Sequence, residues 1–137
     1  TGLTVDFTAK VVLDDKPLGK NFGSVMTQPS ASYAKGSIVS VQYWGGHPNN
    51  NLQTRGSFLV VEKLSGNSWV PVAYDWDPDT TYRWERNSIS YSKITITWNT
   101  KNAAAGTYRI RHKGHWKSGW TGKISPYEGV SKSFDVK

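Results

Sequence analysis

Asp75, Asp77 and Asp79 alternate along a short stretch and form the densest cluster of metal-ligating oxygens in the sequence. Carboxylates so spaced in a turn can converge on a hard cation. The stretch is therefore a candidate site for structural calcium or magnesium. It is not an EF-hand, because Thr80 stands where that loop needs glycine and Arg86 where it needs glutamate. The competing reading is a solvated turn whose aspartates bond local backbone. A glycosidase-type acid pair would need one carboxyl in an apolar pocket, which a hydrated turn does not suggest.

His47, His112 and His115 are the only histidines. His112 and His115 have His-x-x-His spacing, but a closed zinc site usually takes four ligands, and no Asp or Glu lies nearby in sequence to complete one. The plainer reading is one strand histidine and one loop histidine. Gly-x-Ser-x-Gly and the phosphate-binding glycine loops are absent. With no cysteine, thiol catalysis, disulfides and Cys-ligated zinc are excluded. No residue is assigned a catalytic role.

The remaining cluster is aromatic and basic. Lys113, Trp116, Lys117, Trp120 and Lys123 lie within eleven residues, among glycines, and read as a loop. Indole rings suit headgroup depth in a membrane and ammonium groups suit lipid phosphates, so the five residues form a candidate lipid interface. The same two tryptophans can stack on sugars, or fold back onto the core. The net charge is +7, and no acidic residue occurs between Glu85 and Glu128. Eight basic residues lie there, enough for a patch meeting anionic lipid, a membrane rich in sphingolipid or an acidic neighbouring domain. A solvated, solubilising face is the alternative. Nucleic-acid binding is not expected, since no recognition motif accompanies the charge.

The elements that position these residues read as strands. Ile94, Ile96 and Trp98 alternate with Thr95 and Thr97; Tyr108 and Ile110 alternate with Thr107, Arg109 and Arg111. Period two marks a strand with one buried and one wet face. Ile38–Trp44 and Phe58–Leu64 suit central strands, with shorter strands at Val70–Tyr74, Tyr82–Arg86 and Phe134–Val136. Val5–Leu13 is a first-strand candidate, and residues 1–16 are read as a linker or that strand. Turns are expected at 14–19, 45–51, 65–68 and 114–122, where Gly, Pro, Asn or Asp gather. Ala104–Ile110 has tyrosine-corner spacing, with Ile110 where an immunoglobulin domain carries its second core cysteine. The expectation is all-β, an immunoglobulin-like antiparallel β-sandwich, with residues 1–137 forming one domain. Thr1 in place of Met, without signal-peptide character, suggests a piece of a longer protein.

Several segments, in order, resemble one family. They are Pro17–Val25, Gly46–Asn51, Phe58–Glu62, Asp75–Asp79, Tyr82–Arg86, Tyr108–His112 and Gly129–Phe134. Together they resemble the C-terminal domain of neutral (neutral/alkaline) ceramidases, especially bacterial ones. The resemblance implies an immunoglobulin-like domain without catalytic residues. It would support a catalytic domain that lies elsewhere in a secreted, extracellular parent, and dock on lipid. There, zinc would activate water to cleave ceramide into sphingosine and fatty acid; no cofactor is expected within these 137 residues. The alternatives are a carbohydrate-binding module and a purely structural sandwich.

Overall fold

The computed structural model describes residues 21–46, 58–86, 91–117, 121 and 123–137. The candidate first strand Val5–Leu13, along with His47 and Trp120, lies outside them. Ten strands follow one another among the described residues: β1 Val25–Thr27, β2 Ser32–Tyr33, β3 Ile38–Gly45, β4 Leu59–Ser65, β5 Ser68–Tyr74, β6 Thr80–Arg86, β7 Ser92–Asn99, β8 Gly106–Lys117, β9 Ile124–Val130 and β10 Phe134–Val136. Among the described residues the one helical piece is a 3₁₀ turn at Thr100–Asn102.

Alternation in the sequence becomes alternation in burial. β7 buries Ser92, Ile94, Ile96 and Trp98 and turns Lys93, Thr95 and Thr97 outward. β3 buries Val39, Val41 and Tyr43 in the same rhythm. β3 and β7 pair over their full length, Ile38 opposite Asn99 and Gly45 opposite Ser92, so their buried residues share one face. That face closes on Leu59, Val61 and Ile110 of the other sheet, all fully buried. Burial of this apolar surface is the main favourable term for the fold.

The sheets run β1-β3-β7-β6 and β2-β10-β8-β4-β5, with β9 pairing the same edge of β8 as β10 does. This is the A-B-E-D against G-F-C order of an immunoglobulin-type sandwich, extended by one strand beside C. Pairings are antiparallel except β2 with β10. The tyrosine corner forms as its spacing predicts: Tyr108 Oη donates to the Ala104 carbonyl at 2.6 Å. Ile110 sits fully buried two residues on.

One expectation needs correction. Gly114–Gly122 reads as a turn, yet β8 continues through Lys117 and pairs with β9 in unbroken register, Arg111 opposite Val130 to Lys117 opposite Ile124. Gly114 is tolerated in mid-strand because its missing side chain is needed. A Cβ there would come within 2.7 Å of the Tyr127 ring.

Gly23 and the last strand lie at opposite ends of the sandwich. Gly23 N–H bonds the Trp44 carbonyl at 2.7 Å, beside the ends of β3, β6 and β8. The last strand pairs Val136 with Gly106, the far end of β8.

Candidate functional site

The final turns of β8 carry most of the residues singled out for lipid contact, and strand geometry divides them. Side chains alternate across a strand. Lys113, His115 and Lys117 face outward; His112, Gly114 and Trp116 face the other way. Trp116 is half-buried, and its ring stacks on Phe22 with centroids 4.7 Å apart and planes 16° from parallel. One face of that indole is thus already covered. Phe22 also packs on Tyr127 at 5.7 Å. Lys113 and Lys123 are exposed.

Beneath this aromatic layer lies a fully buried histidine. His112 Nδ1 sits 2.8 Å from the Phe58 carbonyl, and Nε2 sits 2.8 Å from Tyr127 Oη. A carbonyl only accepts, so Nδ1 carries the proton and Nε2 is the acceptor. Tyr127 Oη then donates to Nε2 and accepts from the Gly46 N–H at 2.7 Å. Every polar atom of the neutral imidazole is satisfied, and the rings of Tyr43 and Tyr82 flank it at 5.4 and 5.8 Å. Burial disfavours the imidazolium and pulls the pKa down to about 4, against a smaller opposing effect of the Phe58 carbonyl. Burial also lowers His115, and raises the Tyr43 hydroxyl, which donates to the Ile110 carbonyl. The His-x-x-His pair is therefore split: one histidine in the core, one on the outer face.

The Tyr127 hydroxyl ties Gly46, β8 and β9 together, and His112 Nδ1 adds Phe58, just before β4. Tyr127→Phe removes it, leaving Nε2 and the Gly46 N–H without this partner. An expected loss of about 2–3 kcal/mol follows, read as a lower midpoint in urea unfolding with unchanged slope. Sequence reading placed His112 on a strand but missed Tyr127. Its signal is visible afterwards: Tyr127 stands opposite Gly114 and Gly129 opposite His112, two glycines where bulk is excluded.

Four of the eight basic residues between Glu85 and Glu128 find acidic partners in space. Glu62 Oε1 lies 2.8 Å from Arg109 Nε and 3.3 Å from Arg111 Nε. Glu128 takes Arg111 Nη1 at 2.8 Å. Arg109 also lies over the Trp69 ring at 4.3 Å. Lys93 pairs with Glu85 and Lys101 with Asp79, each at 3.6 Å. For Arg109 and Arg111 the partner Glu62 comes from a strand distant in sequence, which a linear charge count does not register.

The three aspartates are engaged separately. Asp75 Oδ2 accepts from Phe58 N at 2.9 Å, Asp77 Oδ2 from Tyr74 N at 2.6 Å, and Asp79 Oδ2 from Asn102 Nδ2 at 3.1 Å. Asp77 closes the β5–β6 turn on itself, while Asp75 and Asp79 staple it to two other segments. Among the described residues no group of three or more His, Cys, Asp or Glu is arranged to hold a metal ion.

Neither cluster by itself identifies a function, so the whole chain rather than one constellation carries the relationship. The family model for neutral/alkaline non-lysosomal ceramidase, C-terminal, matches residues 1–136. The chain belongs to that family. Its sequence is 45% identical over 136 residues to the neutral ceramidase of Pseudomonas aeruginosa, covering 96% of this chain and 20% of that protein. Neutral ceramidase 2 of Arabidopsis thaliana is 41% identical, covering 96% and 18%. The crystal structure of the P. aeruginosa neutral ceramidase superposes with a TM-score of 0.88, over 97% of this chain and 22% of that one. This ceramidase-family chain thus spans about a fifth of the length of its relatives.

Proposed function

We propose that the chain is the non-catalytic C-terminal domain of a secreted ceramidase, and that it supports a catalytic portion preceding it. That portion would hydrolyse the amide of ceramide to sphingosine and fatty acid. The observation that carries this reading is the match of a C-terminal family model along residues 1–136, in a chain a fifth as long as its relatives. The zinc that activates water, and its ligands, would belong to the preceding portion. The residues here offer stiffness instead: a closed core and a hydrogen-bonded end.

Hydrolysis of a fluorescent ceramide checks the reading. The full-length protein is expected to release fatty acid and to lose that activity on zinc chelation. Purified residues 1–137, shown folded by near-ultraviolet circular dichroism, are expected to release none. Ceramide turnover by those residues alone would overturn it.

A further inference from the structure

The two sheets part along one edge of the sandwich. β5 ends one sheet and β6 the other, and the turn between them, with the connection from β7 to β8, frames an open cleft. Its volume is about 320 Å³, at the lower end of the range for small-ligand sites, roughly 300–1,000 Å³.

The residues at this edge break the pattern of the core. Along β4, Leu59 and Val61 point inward and are fully buried, and Lys63 is next in that rhythm. Lys63 stands opposite the buried Tyr108, and its ammonium lies 5.8 Å from the centroid of that ring. Among the described residues no carboxylate pairs with it. β5 carries a bulge: Pro71 stands opposite Glu62 and Ala73 opposite Val61, which leaves Val72 without a partner. Val72 is 46% exposed and forms part of the cleft wall. Pro78 and Ala103 extend the apolar lining, and Asp79, Asn99 and Asn102 supply polar groups. Those groups are held in place. Asn99 Oδ1 accepts from Lys101 N at 3.0 Å, and Asn102 Nδ2 donates to Asp79 Oδ2 at 3.1 Å. These bonds leave the Asn99 amide donors and the Asn102 amide oxygen for a ligand.

We propose that the cleft is a binding site for an acidic sugar, a pyranose ring bearing a carboxylate. Three features select that class. The unpaired ammonium on one wall suits an anion. The amides and the carboxylate on the facing wall suit hydroxyl groups, which both donate and accept. The strip of Val72, Pro78 and Ala103 suits the C–H face of a ring. A fatty carboxylate would leave the amides unmatched, and a neutral sugar would leave the lysine unmatched. The proposal is independent of what the rest of the protein hydrolyses.

Saturation-transfer NMR of the full-length protein tests it, with D-glucuronate, D-glucose and hexanoate as probes. Glucuronate is expected to take up saturation, most at its ring C–H protons, and to bind several-fold more tightly than glucose. Lys63→Met keeps the stem that lies over Gly106 and removes the charge. It is expected to weaken glucuronate about ten-fold, the scale of one charge-assisted hydrogen bond, and to leave glucose unchanged. Asn102→Ala is expected to weaken both sugars. Lys113→Met removes an exposed charge outside the cleft and is expected to change neither. Circular dichroism checks that each variant is folded, and Lys63→Gln takes the place of Lys63→Met if that variant is not. No saturation of glucuronate overturns the proposal and leaves Lys63 as an inward charge that deters strand addition at the sheet edge. Glucuronate binding that survives loss of the Lys63 charge overturns it too. So does hexanoate bound as tightly as glucuronate and equally sensitive to Lys63→Met, which would assign the cleft to aliphatic carboxylates.

Discussion

Gly129→Ala is expected to destabilise the domain by at least about 3 kcal/mol, the upper range for overpacking a site that cannot relax. Gly129 needs no special backbone dihedral; positive φ is found at Gly23, Gly36 and Gly66. Its requirement is space. A Cβ there would overlap the carbonyl oxygen of Gly23 and stand 2.7 Å from its carbon. The atoms it meets are backbone, and that backbone is held. Gly23 N–H is bonded to Trp44 and itself has φ +91°, a conformation other residues adopt poorly. Relief requires moving the incoming chain off β9 or breaking its bonds to β3. Gly36→Ala and Gly66→Ala make the comparison. Both have positive φ, but a Cβ at either meets nothing within 4 Å. They should cost only the backbone strain, about 1–2 kcal/mol. Urea unfolding of the three variants checks the order; equal losses would show that the Gly23–Gly129 contact is not rigid.

That contact illustrates what the sequence did and did not carry. The strands with strict alternation, β7 and the first half of β8, were legible because burial on one face writes period two directly into the residues. The tyrosine corner was legible because it is local, Tyr108 reaching back only to Ala104. β1 and β2 were not legible: three and two residues long, they owe their pairing to neighbours in two different sheets rather than to their own pattern. The end of β8 was misread for a related reason. Glycine and lysine signal a loop when taken in isolation, but here Gly114 clears space for the Tyr127 ring, which meets His112 at 64° with a centroid distance of 5.3 Å. The pairing of Glu62 with Arg109 and Arg111 spans about fifty residues and follows from register alone. Linear proximity made the Lys–Trp set look like one surface; alternation across β8 sends Trp116 and the lysines apart.

Mild acid is expected to weaken the domain through His112. An unfolded chain carries this histidine near its ordinary pKa of 6.5, and the fold lowers it to about 4. Between those values the unfolded state binds the extra proton. Stability contributed by the neutral imidazole is therefore complete above about pH 6.5 and is lost progressively as pH falls toward 4. From pH 7.5 to 5 the loss is on the order of 2 kcal/mol, or a fall of roughly 5–10 °C in the unfolding midpoint for a domain of this size. The geometry explains the direction. A second proton must sit on Nε2, where Tyr127 Oη now donates, and the charge would be enclosed by Tyr43, Tyr82 and Tyr127 in a fully buried site. His112→Asn can keep one bond to the Phe58 carbonyl but cannot titrate. It should be less stable than the parent at pH 7.5, with a flatter dependence between 7.5 and 5. Calorimetry of both proteins across that range decides the matter: parallel curves would mean the acid sensitivity resides in other groups, and that His112 serves packing without sensing protons.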